Sequence, residues 1–419
     1  MSRVPPAART VQRTYLTLVL LKTLAASFIW GVNTLFLLDA GLSTAEAFAA
    51  NAFYTLGMVL FEVPTGVVAD TRGRRTSFLL GSATLLGSTL IYLLMWQTTA
   101  PFWGWAAASA LIGLGFTFFS GAVEAWLVDA LAATGYTGDI AVVFARGRSV
   151  EGVAMLAGSV AGGFLAQAAT LGAPYVARAA LLLVTMAFAF AAMRDIGFSP
   201  RRGETVGTQV RAVLRASLEG GLRLRPVRWA MLTAPFTLGV GLYGFYAIQP
   251  HLLDLYGDDT AFGVAGIAAG VFAVAQITSW VLVPFLVRLF RRRTRVLLVT
   301  TSLGAAALIG IGLVEHFAGA IAFLVLWALC FATAEPVRQA FLNDQIASEQ
   351  RATVLSFDAL LGSAGGVVVQ PVMGRAADVW SYGTSFVISG VVQAAAIPLL
   401  LAARRENAAA DVAAGEAPA

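Results

Sequence analysis

The feature that most restricts this chain is a succession of long apolar runs, each about as long as a bilayer-crossing helix, separated by short polar loops. At 1.5 Å per residue, about 20 mostly apolar residues cross ~30 Å of hydrocarbon. Twelve such runs are read, at 15–38, 46–69, 76–96, 102–130, 145–170, 174–193, 229–254, 261–288, 295–314, 317–345, 352–377 and 380–403. The chain has little else with which to wet a surface. Of its 419 residues, 58% are hydrophobic and 12% are charged, against about 25% charged in a soluble domain. Its mean hydropathy is +0.78. The expected fold class is therefore an all-α membrane protein whose partner is the lipid bilayer. The first run is too long for a signal-peptide core and no A-x-A cleavage site follows it, so it is read as a retained span. Gly and Ala recur throughout the runs, which suits close helix packing in lipid.

Orientation follows from the basic residues. With the N-terminus inside, the inner loops collect Arg3, Arg9, Arg13, Arg72, Arg74, Arg75, Arg146 and Arg148. They also collect eight arginines from Arg194 to Arg228, the cluster from Arg288 to Arg295, and Arg351, Arg404 and Arg405. The outer loops hold only Arg178 and Arg375. The expectation is a multi-pass protein of the cytoplasmic (inner) membrane with both termini cytoplasmic. The pI of 9.6 then reflects topology, and no nucleic-acid partner is expected. Trp96, Trp103, Trp105 and Trp380 are read as an outer interfacial belt.

A polar, Arg-rich segment at 194–228 divides the spans into two sets of six. The expected organisation is an N-terminal six-helix bundle (1–193), a cytoplasmic linker (194–228), a C-terminal six-helix bundle (229–403) and a disordered cytoplasmic tail (404–419). In the linker, Val210, Val213, Leu214, Leu218 and Leu222 recur at helical spacing, as in an amphipathic helix lying on the inner leaflet. The two sets echo each other. "AWLVD" (125–129) parallels "AFLND" (340–344), "GFLAQAATLGAPY" (163–175) parallels "GRAADVWSYGTSF" (374–386), and "RRTSFLL" (74–80) parallels "RRTRVLL" (292–298). Their common order suggests two pseudo-symmetric six-helix bundles, a transporter design.

One loop carries a sharper signal. "GVVADTRGRR", between spans 2 and 3, resembles the signature loop of the major facilitator superfamily, G-x-x-x-D-(R/K)-x-G-R-(R/K). Gly66, Asp70, Gly73, Arg74 and Arg75 hold its positions, while Thr71 follows Asp70 and the basic residue has moved to Arg72. The resemblance implies that Asp70 faces the N-terminal end of span 11 and holds the inner side shut. The residues suit the role. Gly73 permits positive φ in a tight turn, Gly66 lets a helix approach closely, and a carboxylate is stabilised at a helix N-terminus. Asp129, closing span 4 on the same side, joins these as an inner-gate candidate. The plain alternative is an ordinary positive-inside loop. In the second set, "PFLVRLFRRRTR" has Pro284, Arg288 and Arg291 where Gly66, Asp70 and Gly73 stand, so the gate is expected to be asymmetric. In span 5, "GSVAGG" is similar to the Gly-Pro-x-x-Gly-Gly element of proton-coupled drug antiporters, with Gly158, Gly162 and Gly163 in place and Ser159 instead of proline. Span 4 lacks the arginine of those antiporters, and small-residue packing is an equal reading.

Charges inside spans are costly and usually functional. Lys22 and Glu62 lie at similar depth on spans 1 and 2, about 10 Å in, and are expected to pair. Glu124, Arg148, Glu151 and Asp358 fall in a similar inner layer. Glu335 and Arg338 lie three residues apart on span 10 beside Pro336 and are the leading coupling candidates, with Glu62 and Lys22 next. For each pair the alternative is a static salt bridge. Asn33, Tyr243, Tyr246 and Gln249 are candidates for the substrate cavity.

Other classes fare worse. His251 and His316 are the only histidines, and no H-E-x-x-H, nucleophile–base or G-x-x-x-x-G-K-[ST] pattern occurs, so neither an enzyme nor an ATPase is expected. Cys330 is the only cysteine, so no disulfide framework or Cys-based metal site is expected, and the reading includes no metal and no cofactor. The reading is a monomeric secondary transporter that moves a small molecule by alternating access, with proton-coupled efflux of amphipathic or drug-like compounds first. Uptake of a nutrient or export of one metabolite is the alternative, and a channel or sensor stays open behind them.

Overall fold

The structure, a computed structural model, describes residues 5–98, 100–200, 207 and 221–412. Among these residues the chain is helical, and the one extended pairing is an isolated antiparallel bridge between Arg292 and Val412. Helix α1 (Pro6–Ser27) begins on a proline, which suits the first helical position because its missing N–H would have no partner there. It breaks over 28–32 and resumes as α2 (Asn33–Asp39). Helix α3 (Thr44–Arg72) opens on a capping box in which Ser43 and Glu46 satisfy each other's backbone N–H groups. Only Gly73 separates it from α4 (Arg74–Thr98). Then come α5 (Phe102–Thr117), α6 (Ala122–Ala133), α7 (Ile140–Ala168) and α8 (Ala173–Ala192). After the undescribed stretch come α9 (Arg225–Met231), α10 (Ala234–Tyr256), α11 (Phe262–Phe290) and α12 (Arg293–Leu313). The chain ends with α13 (Phe317–Asn343), α14 (Ser348–Val379), α15 (Tyr382–Ala394) and α16 (Ala396–Arg405).

Eleven stretches among the described residues are long and apolar enough to cross a membrane, counting α5–α6, α9–α10 and α15–α16 as one each. They fall on expected spans 2 to 12. Expected span 1 is not among them, because α1 carries Arg9, Arg13 and Lys22 and the helix breaks before the run ends. Large apolar side chains stand outward along the bundle, among them Leu94, Phe190, Val281 and Trp380, as hydrocarbon contact requires. Buried apolar side chains gather in two large clusters. One is drawn almost wholly from residues 8–193, the other from residues 240–386 together with Phe48.

One expectation about the loops falls outside the structure and another changes. Most of the proposed amphipathic linker, including Val210, Val213, Leu214 and Leu218, lies outside the described residues. The tail expected to be disordered from 404 is seated as far as 412. Asp411, 2% exposed, accepts bonds from the backbone N–H and hydroxyl of Thr294 at 2.7 and 2.9 Å, and Arg293 donates to the Ala410 carbonyl. A carboxylate among the first N–H groups of α12 is favoured by the helix dipole, which the tail's lack of an apolar face did not reveal. Residues 413–419 lie outside the described set.

Candidate functional site

The helices before residue 193 and those after residue 225 meet tightly at the end of the bundle opposite the arginine-rich loops. Asp378, at the end of α14, accepts the backbone N–H groups of Thr44 and Ala45 at the start of α3, at 3.0 and 2.9 Å. Gln249 on α10 accepts from the Thr34 N–H at 3.2 Å and donates to the Trp30 carbonyl at 2.6 Å. Gln370 on α14 donates to Thr55 at 3.2 Å. Glycines permit the approach. A Cβ on Gly31 would lie 2.8 Å from the Gly266 Cα, and one on Gly163 would lie 2.7 Å from the same atom. In the "GSVAGG" stretch Gly163 and the Ser159 carbonyl take part in this packing against Gly266, while Gly158 and Gly162 pack within the first set, against Ser27 and the Phe28 carbonyl.

Towards the arginine-rich end the two sets of helices part around a cavity of about 660 Å³. Arg148 and Met155 line it on one side, and Phe245, Phe272, Trp280, Phe331, Glu335 and Gln339 on the other. Glu335 also lines a neighbouring cavity of about 310 Å³ that reaches Arg338 and Asp358. The Glu335 carboxylate lies 3.2 Å from Arg338, whose other amine bonds Asp358 of α14 at 2.7 Å. The expected pair is thus a triad. Its Arg338 and Asp358 side chains are 5% and 4% exposed, while Glu335, at 33%, opens to the cavity. Two carboxylates share one guanidinium, so one bound proton makes the cluster neutral.

The signature loop forms the expected turn with different partners. Gly73 has φ +106, and a Cβ there would collide with the Asp195 carboxylate, so both conformation and space require glycine. Asp195 accepts the Arg75 N–H at 2.9 Å, and Arg75 donates to the Phe190 carbonyl at 2.6 Å. Asp70 pairs with Arg74, one turn along the chain, and with no other described side chain. Gly66 has open space where a Cβ would stand, so the expected close helix approach does not occur there. Asp129 makes no side-chain bond to a described residue, and its backbone carbonyl packs against Gly197. The equivalent turn after α11 keeps a left-handed residue, Arg291 at φ 59, where the first copy has its glycine.

The remaining candidates divide. Lys22 and Glu62 are not a pair. Lys22 lies 4.0 Å from Glu124, and Glu62 accepts from the Ser120 hydroxyl at 2.7 Å. Equal depth did not decide pairing because rotation about each helix turns the two side chains to different neighbours. Tyr243 is buried, bonded to Ser385 at 2.6 Å, and Gln249 is spent on the closure described above, so neither faces open space. Asn33 bonds Asn51 and Tyr175 and, with Tyr246, lines a small third cavity. Trp105, expected at the interface, is buried. Sequence reasoning missed Asp195, Asp378 and Arg178. Asp378 follows Gly374 at the Gly66–Asp70 spacing, and Arg178 falls inside the run 174–193 although it was grouped with the outer loops. Both signals could have been read.

Comparison with known proteins agrees with this architecture. The sequence model of the Major Facilitator Superfamily matches residues 15–367. A search of curated proteins by sequence found no significant match. Among solved structures, the nucleoside transporter NupG superposes with a TM-score of 0.76 at 12% identity, covering 94% of this chain and 99% of that one. A POT family transporter in complex with a thioalcohol-conjugated peptide gives 0.71 at 12%, covering 93% and 94%. The human organic anion transporter MFSD10 gives 0.65 at 16%, covering 94% and 100%. At such identities the structures speak to fold, and the family match speaks to kinship. The chain belongs to the Major Facilitator Superfamily, and is a transporter rather than an enzyme.

Proposed function

We propose that the protein is a monomeric, proton-coupled secondary transporter of small molecules, working by alternating access between two six-helix bundles. In this reading α1 and α2 together form the first of twelve spans, and the arginine-rich end faces the cytoplasm of an inner membrane with both termini on that side. The bundle is then shut on the outer side and open around a cavity towards the inner side. The observation that carries the reading is the Glu335–Arg338–Asp358 triad, buried on two members and open to the cavity through the third. A static ion pair would have no need of the second carboxylate. Reaction of Glu335 with a proton, followed by closure of the inner side, would tie proton movement to substrate movement. The apolar and aromatic lining of the cavity suits amphipathic or aromatic compounds, which favours efflux. Uptake is the second reading, favoured by the nucleoside and peptide transporters among its structural neighbours.

The test uses the full chain in proteoliposomes. Glu335→Gln is expected to abolish accumulation driven by an imposed ΔpH while counterflow exchange survives. Accumulation against a gradient by Glu335→Gln would make the triad structural and move the search for the coupling group to Glu62.

A further inference from the structure

Arg178 sits on the second turn of α8, is 1% exposed, and lines a cavity of about 30 Å³ with Trp30, Asn33, Asn51, Tyr54 and Tyr246. No carboxylate lines that cavity. Among the described residues no hydrogen bond or ion pair reaches the guanidinium, whose Nε and Nη2 are buried without partners. It has the ring of Phe116 for company, 5.9 Å from the centroid. A bare cation in low dielectric is costly, and the other buried arginine among the described residues, Arg338, is held by two carboxylates. A second, independent donor points the same way. Tyr175 donates to Asn33 and Asn33 donates to Asn51, each at 2.9 Å, which leaves the buried Asn51 Nδ2 with no acceptor. The hydroxyls of Tyr54 and Tyr246 bond no described residue. Every unsatisfied group around the cavity can therefore donate, and what is missing is an acceptor that carries negative charge. Nε and Nη2 form the edge of a guanidinium that meets a carboxylate in a side-on, two-bond pair. The space holds a group about the size of one or two waters, which suits a carboxylate head and excludes a ring.

Resting on the transporter reading above, we propose that Arg178, Asn51, Tyr54 and Tyr246 form the anion subsite of the transport pathway, and that the substrate is an organic acid. Tyr246 comes from α10 and the other three from helices before residue 193, so one carboxylate would bridge the two sets of helices. The same proposal puts the apolar body in the large cavity. Phe245, next to Tyr246 with ring centroids 5.2 Å apart, lines the large cavity.

The full-length protein in nanodiscs is titrated with monocarboxylates from acetate through benzoate to 2-naphthoate, with the matching amides and amines, and with chloride, reading thermal stabilisation. Proteoliposome counterflow is run on the same set. Aromatic carboxylates are expected to stabilise the protein while their amides and amines do not. Arg178→Gln is expected to weaken carboxylate binding about tenfold to a hundredfold, with Arg178→Lys between. Binding of amides or amines as tight as that of the acids overturns the subsite, as does an unchanged affinity in Arg178→Gln. Stabilisation by chloride alone, or by no member of the set, overturns it as well. Should Arg178→Gln not fold, the charge series on the unaltered chain decides. Counterflow of amines without acids would leave the transporter reading standing and the subsite refuted. Arg178-dependent carboxylate binding with no counterflow of any solute would do the reverse.

Discussion

Removing the Asp378 carboxylate should loosen the end of the bundle that is closed here. Asp378 accepts two backbone N–H groups at the N-terminus of α3, at 3.0 and 2.9 Å. No helical carbonyl can satisfy these donors, and a negative charge there is favoured by the helix dipole. A bond to a charged group contributes about 1.5–3 kcal/mol where water is excluded, but this contact is exposed and solvent screens it. A net of about 1–2 kcal/mol is a reasonable scale, which shifts a two-state population roughly 5- to 30-fold. Asp378→Asn keeps the shape and one acceptor while removing the charge. In a Cys330→Ser background, spin labels at Trp103 and Trp380, both exposed at this end, report the separation of the two sets of helices. Double electron–electron resonance on Asp378→Asn is expected to show a new, longer population at the expense of the short one. An unchanged distance distribution would refute the idea that this contact holds the end closed.

Other outcomes follow from the same geometry. Gly266→Val places side-chain atoms where Gly163 and the Ser159 carbonyl already lie within 3 Å of a Cβ. It is expected to cost about 1–3 kcal/mol and, by the same label pair, to populate the open state. Arg338→Met leaves two carboxylates without their cation and is expected to destabilise the protein by about 3–5 kcal/mol, whereas Arg338→Met with Asp358→Leu recovers part of that in a thermal-melt comparison. Gly73→Ala must adopt left-handed backbone and displace Asp195, so its melting temperature is expected to fall, with an added Asp195→Ala recovering the steric share. Lys22→Met and Glu124→Gln, 4.0 Å apart as partners, are expected to couple by less than about 1 kcal/mol in a double-mutant cycle, and Lys22→Met with Glu62→Gln not at all.

The linear order of residues was enough for the class of protein and for most of the spans. Runs of about 20 apolar residues have one stable use in a chain this poor in charge, because hydrocarbon leaves backbone groups no partners but each other. Eleven of the twelve expected spans stand where counting put them. Gly73 was legible for the same local reason, since a turn of one residue between two long helices needs positive φ and only glycine adopts it freely. The Glu335–Arg338 contact could also be read, because residues three apart on a helix share a face.

What the sequence left open is whatever depends on rotation about a helix axis and on which helix stands beside which. Lys22 and Glu62 share a depth, yet they face Glu124 and Ser120, because spacing along one helix carries no information about the angle of the next. Asp358 is twenty residues from Arg338 along the chain and 2.7 Å from it in space, a distance set by how α13 packs on α14. Asp70 carries the family motif, yet its partner in the fold is Arg74, one turn along the chain. Arg178 looked like a loop arginine because a residue near the end of an apolar run can snorkel outward or turn inward. The packing of α3, α4, α8 and α10 turned it inward, among tyrosines and into a cavity whose lining has no carboxylate.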